Sequence, residues 1–121
     1  FSDTGLLLAM YGFETKKALL NDTLKGFAKG GIYENFVAQS LLAKGYGLHY
    51  YKPDDDSELE FLIEKDGEVR PIEVKAGNKA TVSLNRFLEK EKPQLVYKLA
   101  YANLGYHEKK LTIPYFMVMF L

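Results

Sequence analysis

The dipeptide Asp66-Gly67 constrains this chain more than any other feature in it. It lies between two segments, Glu58 to Lys65 and Glu68 to Lys75, that alternate polar and apolar residues. Asp-Gly suits a two-residue type I′ turn, because both central residues need positive φ and the turn matches the twist of the strands it joins. A hairpin is therefore predicted, and its register follows. Lys65 faces Glu68; counting back, Glu60 faces Glu73 and Glu58 faces Lys75. Leu59, Phe61 and Ile63 then share the other face with Val74, Ile72 and Arg70, a largely apolar set expected in the core. Opposed side chains have Cβ atoms roughly 4.5–5.5 Å apart, and like charges placed so destabilise a hairpin. Glu60 and Glu73 call either for a solvated face, with Glu58 and Lys75 as an ordinary surface pair, or for a cation. A hard ion such as Mg²⁺ takes carboxylate oxygens in an octahedral shell completed by water and phosphate.

The hairpin falls inside a helix, three strands, a helix and a strand. Ser2-Asp3-Thr4 caps a short helix over Gly5 to Tyr11, ended by Gly12. Residues 13–24 read as weak helix or loop. A long helix is predicted from Phe27 to Lys44, with Phe27, Tyr33, Phe36, Val37 and Leu41 at helical spacing and Gly45 as its stop. Gly30-Gly31 either kinks it or marks its true start. Leu48 to Lys52 reads as a strand ended by Pro53 and three aspartates. Ser83 caps a helix over Leu84 to Lys90, ended by Pro93. Leu95 to Tyr101 is the next strand, Lys110 to Ile113 one more, and Tyr115 to Leu121 an apolar closing segment. A helix between strands that can lie parallel implies a right-handed crossover. The fold class expected is α/β, a mixed central sheet flanked by helices.

The 121 residues suit one domain: an opening helix and linker over 1–24, a core over 25–101 and a C-terminal extension over 102–121. The chain starts at Phe1 and not Met, so part of a longer protein is expected. With no cysteine, disulfides, thiolate zinc sites and thiol nucleophiles are excluded, which fits a cytoplasmic location. No apolar run approaches the ~18 residues of a membrane helix. The net charge is zero, whereas nucleic-acid binders usually carry a basic excess. Between Asp54 and Glu68 eight acidic residues stand against one lysine. That stretch repels phosphate unless cations sit in it. His49 and His107 have no spacing partners for zinc. Tyr46, Tyr50, Tyr51, Tyr97, Tyr101 and Tyr106 read as core or cross-strand packing rather than as a base-stacking platform. Gly30-Gly31 lacks the pattern of a phosphate loop.

Ser57-Glu-Leu-Glu-Phe-Leu-Ile-Glu64 followed by Arg70-Pro-Ile-Glu-Val-Lys75-Ala-Gly77 resembles the PD-(D/E)XK nuclease motif, an acid on one strand and Glu-x-Lys on the next. The helix-strand-strand-strand-helix-strand order is also the core order of that restriction-endonuclease-like superfamily. More specifically, the chain resembles the domain of unknown function found C-terminal to an AAA-type ATPase module in bacterial and archaeal proteins. Phe1-Ser-Asp-Thr-Gly-Leu-Leu7, Ile32-Tyr-Glu-Asn-Phe-Val37 and Pro71-Ile-Glu-Val-Lys75 carry that likeness. The resemblance implies a site with Glu60 and Glu73 on Mg²⁺ or Mn²⁺ and Lys75 handling the attacking water. It also implies Glu34 of the long helix completing the set and the Val74 carbonyl as a further ligand. The position of Glu60 is usually Asp in that family. Glu is one methylene longer and displaces a bound ion.

Two readings compete. One is a metal-dependent phosphodiesterase acting on DNA. The other is a catalytically inactive domain that regulates the ATPase module or binds a partner, with a homo-oligomer among the candidates; fold does not imply function. A nucleic-acid-binding module without cleavage is a third, opposed by the charge balance. A basic rim from Lys29, Lys52, Lys79 and Arg86 would favour nucleic acid.

Overall fold

A computed structural model describes residues 2–77 and 80–121. Four helices, α1 (Thr4–Tyr11), α2 (Phe13–Leu20), α3 (Gly26–Ala43) and α4 (Val82–Glu91), accompany six strands. These are β1 (His49–Asp54), β2 (Ser57–Lys65), β3 (Glu68–Val74), β4 (Val96–Ala100), β5 (Gly105–His107) and β6 (Lys110–Pro114). They form one mixed sheet in the order β1-β2-β3-β4-β6-β5. The pairs β1–β2, β2–β3 and β5–β6 are antiparallel; β3–β4 and β4–β6 are parallel. The α/β class and the mixed, helix-flanked sheet are as expected, and α3-β1-β2-β3-α4-β4 keeps the expected order.

The hairpin forms through Asp66 (φ 56°) and Gly67 (φ 77°), both positive as a type I′ turn requires. Its register runs from Lys65–Glu68 to Phe61–Ile72. Beyond that point the pattern changes. His49 pairs with Leu62 and Tyr51 with Leu59, so two steps along β1 span three along β2. The extra residue is a bulge, which re-aims the side chains that follow it. Leu59 therefore does not share a face with Phe61 and Ile63. It joins Leu84, Phe87 and Val96 in the cluster beneath α4. Ile63, Ile72, Val74 and Leu99 pack on the opposite face with Val37 and Leu41 of α3.

Other differences have local causes. Asp3 caps α1 as expected, accepting from the Leu6 N–H at 2.7 Å. Residues 13–20 are helical, and Gly30-Gly31 lies inside α3, which begins at Gly26. Phe27 is 100% exposed and is no part of the helix's buried stripe. Pro53 does not end β1; it is accommodated because β1 is an edge strand, where a missing N–H costs no ladder bond. Thr81, not Ser83, precedes α4, and the Ser83 hydroxyl instead accepts from the Glu58 N–H at 3.3 Å. The β5–β6 turn uses Glu108 and Lys109 at positive φ, which no turn dipeptide announces. Tyr115–Phe120 is a 3₁₀ turn. Its three-residue period turns Tyr115, Val118 and Leu121 into the core and leaves Phe116, Met119 and Phe120 outside.

Candidate active site at the end of the β2–β3 hairpin

Where the regular β2–β3 pairing stops, a carboxylate replaces the backbone. Oε2 of Glu60 accepts the Val74 N–H at 3.1 Å. On its other side β3 continues into β4, with the Lys75 N–H donated to the Leu99 carbonyl at 2.8 Å. Burial pushes the Glu60 carboxyl up to about 7. The hydrogen bond from Val74 opposes that shift, and the nearby Glu73 charge adds to it. The two acids paired from the sequence therefore sense one another, although the bulge ends the regular ladder one pair before them.

Glu73 is 1% exposed. Its Oε1 lies 2.6 Å from Lys75 Nζ, and its Oε2 accepts the Leu84 N–H at 3.3 Å. Leu84 is in the first turn of α4, where backbone donors lack intrahelical partners and the helix dipole favours negative charge. Thr81 makes no side-chain cap bond to those donors, so Glu73 supplies part of the cap from the sheet. The pair expected between Glu58 and Lys75 is absent. Lys75 turns inward to Glu73, and Glu58 lies 3.9 Å from Lys52.

Glu34 stands one turn before Val37 on the sheet-facing side of α3. Burial raises its pKa, Glu58 adds to the rise, and Lys75 opposes it. Glu34 thus approaches Lys75 from the α3 side while Glu73 approaches from the α4 side. Among the described residues, no group of three or more His, Cys, Asp or Glu side chains could hold a metal ion. The acids that converge are Glu60 and Glu73. Two carboxylates, each oxygen keeping a second lone pair, form an oxygen donor set that fits a hard divalent cation completed by water.

The main chain at Lys75 is held from below. The Tyr115 hydroxyl donates to the Lys75 carbonyl. The Tyr115 ring stacks on Tyr33 with centroids 4.2 Å apart, and burial pushes its hydroxyl up to about 12. The C-terminal segment is thereby built into the site's scaffold, a role that its apolar composition did not reveal.

A second group was missed from the sequence. The parallel register sets Lys98 beside Glu73, and Thr112 beside Lys98. Lys110 reaches α4, donating to Thr81 Oγ1 at 2.8 Å and also to Asn85 Oδ1. Burial, together with the charges of Lys110 and Lys75, holds the Lys98 amine below its ordinary range. A lysine in the otherwise apolar run Val96-Tyr-Lys-Leu-Ala100 was the available signal.

Three of the four residues weighed for a basic rim are described, and each is engaged by a side-chain oxygen. Lys29 is bound to Asp22 at 2.7 Å, Arg86 donates to Ser57 Oγ at 2.9 Å, and Lys79 lies outside the described residues. A cleft of about 390 Å³ between β2 and α4 is lined by Glu58, Arg86 and Phe87 but not by Glu60 or Glu73. His49 and His107 are exposed. Tyr50, Tyr101 and Tyr106 are exposed as well, against the expectation of packing: Tyr50 and Tyr106 lie on the edge strands β1 and β5, and Tyr101 follows the end of β4. No described helix is long and apolar enough to cross a membrane.

Neither the curated proteins nor the solved structures hold a significant match to the chain. The family model of the domain of unknown function DUF4143 matches residues 29–116, a span containing Glu34, Glu60, Glu73, Lys75, Lys98 and Lys110, and the chain belongs to that family.

Proposed function

We propose that this domain is a metal-dependent phosphodiesterase acting on DNA, carried C-terminal to an AAA-type ATPase module in the cytoplasm. The observation that carries the reading is the buried Glu73–Lys75 pair at 2.6 Å with Glu60 beside it at the broken end of the hairpin. The two acids stand together at the ladder's end, and the restriction-endonuclease-like likeness puts an acid and a Glu-x-Lys at these positions.

Glu60 and Glu73 would hold Mg²⁺ or Mn²⁺. A strand residue presents its N–H and C=O to the same neighbour, so the Val74 carbonyl lies on the Glu60 side as a further donor. When bound, such an ion supplies an activated water and withdraws charge from the phosphoryl oxygens. Lys75 has its ammonium fixed by Glu73, and it positions the water and stabilises negative charge developing on phosphate. Glu34 orients Lys75 from the α3 side. Val74 N–H and Leu84 N–H keep the two carboxylates in place before any ligand arrives.

The test is calorimetric titration of Mg²⁺ and Mn²⁺ into this chain and its Glu73→Ala variant, followed by cleavage assays on single- and double-stranded DNA. Saturable binding lost in the variant, with metal-dependent cleavage abolished by Lys75→Ala, is the expected result. Absence of metal binding in the parent chain overturns it.

A second reading, a regulatory or partner-binding domain without catalysis, is favoured by a separate observation. Leu104 and Phe116 are exposed beside an apolar groove that Leu8, Ile32, Tyr33 and Phe36 also line. Patches of this kind mark protein contacts in many domains.

A further inference from the structure

Phe27, Glu34 and Leu41 are seven residues apart in turn and share one face of α3. Leu41 is fully buried against the sheet. Glu34 is half-buried, near enough to Lys75 for that charge to act on it. Phe27 is wholly exposed. One helix face thus passes from the core, over the candidate active site, and off the end of the sheet. Seven residues of helix rise about 10 Å, so Phe27 stands about that far beyond Glu34. Lys75 follows the last residue of β3, so the overhang lies toward the carboxyl ends of the parallel strands β3 and β4. Open α/β sheets receive their ligands there.

Between Phe27 and Glu34 the same face carries Gly30 and Gly31. Glycine is a poor helix former, and the described packing does not demand it here. A Cβ on Gly31 would meet no described atom within 4 Å, and one on Gly30 would only touch Glu34 Oε1 at 3.7 Å. The helix surface leading from the ring to the site is bare and open. The chain has no net charge, so a nucleic-acid strand gains little from its overall field. Stacking of a base on an aromatic ring needs neither charge nor a particular sequence.

We propose that Phe27 stacks an unpaired nucleobase of the substrate strand, whose backbone runs over Gly30 and Gly31 to the Glu60–Glu73–Lys75 centre. The proposal rests on the phosphodiesterase reading and deepens it, because it makes single-stranded DNA the preferred substrate. A base inside a duplex is already stacked on both faces and offers none to the ring. The stacked base lies no more than about three nucleotides from the scissile phosphate, at about 3.4 Å each in a stacked strand and more in an extended one.

The experiment is fluorescence anisotropy of a labelled oligothymidylate with the whole chain in EDTA. An abasic strand of equal length and charge and a fully paired duplex are measured alongside. The variants are Phe27→Leu, Phe27→Trp and, as control, Phe13→Leu, an exposed ring on α2. Circular dichroism confirms that each is folded. The parent is expected to bind oligothymidylate more tightly than either comparison ligand. Phe27→Leu should weaken that binding roughly tenfold and leave the abasic strand unaffected, while Phe27→Trp and Phe13→Leu keep the parent's affinity. Phe27→Leu binding as the parent does overturns the proposal, and so does an equal loss with the abasic strand or in Phe13→Leu. A parent that binds no strand, or binds the duplex as tightly, overturns it too. Mn²⁺ titration reads the metal centre separately. Absent Mn²⁺ binding with the ring's effect intact sinks the phosphodiesterase reading alone; Mn²⁺ binding with no ring effect sinks the stacking residue alone.

Discussion

The carboxylate of Glu60 and the amide of Val74 are joined at 3.1 Å, in the place where the next backbone bond of the hairpin would form. Glu60 is held there half-buried, and burial pushes its carboxyl up from 4.5 to about 7. A carboxyl whose folded pKa is raised favours folding fully below its unfolded pKa. That contribution is lost as pH rises through the folded value. The metal-free domain is therefore expected to lose about 3 kcal/mol of stability between pH 4.5 and pH 8 through this group, at about 1.4 kcal/mol per pKa unit. Glu60→Gln keeps an acceptor for Val74 and removes the titration. Urea unfolding should show the variant more stable than the parent at pH 8 and level with it near pH 4.5. A difference that is flat with pH contradicts the assignment.

Lys75 and Glu73 make a second, separable case. Glu73 is 1% exposed, and its ammonium partner is the lysine two residues on. Removing one member of a buried ion pair strands the other, which costs roughly 3–5 kcal/mol, whereas replacing both can be nearly neutral. Lys75→Met is thus expected to destabilise the domain by about 3 kcal/mol, the lower end because Lys75 keeps some solvent contact. The double variant Glu73→Gln, Lys75→Met should recover most of the loss, since Gln still accepts from Leu84 N–H. Chemical denaturation of all the variants closes the cycle. Additive losses would show that the two residues do not act as a pair.

The hairpin and its turn were legible because Asp66-Gly67 and period-two alternation are local signals, and the register they set holds through Phe61–Ile72. The bulge was not legible, because β1 imposes it from outside the hairpin: the slip between His49–Leu62 and Tyr51–Leu59 moves Leu59 to the α4 face. Pattern counting across Glu60 therefore misassigned Leu59 and the Glu58–Lys75 pair while still bringing Glu60 and Glu73 to one place. Phe27 fits a helical stripe by spacing, yet no described residue covers its side chain, and spacing cannot show whether a partner surface exists. Lys98 comes beside Glu73 only through a parallel pairing between segments far apart in sequence. The β5–β6 turn was missed because Glu108 and Lys109 adopt positive φ without being Gly, Asn or Asp.

Tyr115 couples the C-terminus to the site. Its hydroxyl donates to the Lys75 carbonyl, while its ring stacks on Tyr33. Tyr115→Phe retains the ring and strands the carbonyl, so a loss of about 1–2 kcal/mol is expected. Because Lys75 carries the proposed catalytic ammonium, cleavage should fall by more than the folded fraction does. Urea melts alongside single-turnover assays compare the two. Equal falls would mean that the contact only stabilises the fold.

The last prediction tests how α3 is laid on the sheet, which decides whether Glu34 can reach Lys75. Leu41 is fully buried against the sheet and Phe27 is fully exposed, though both fit one apolar pattern in the sequence. Leu41→Ala should cost roughly 2–5 kcal/mol by deleting packed methyl groups and leaving a cavity. Phe27→Ser should stay within about 0.5 kcal/mol, as surface changes away from special features do. If Phe27→Ser is the costlier change, α3 is rotated about its axis relative to the arrangement described. Val37 would then leave the core, and Glu34, one turn earlier on the same face, would swing away from Lys75 and out of the proposed site.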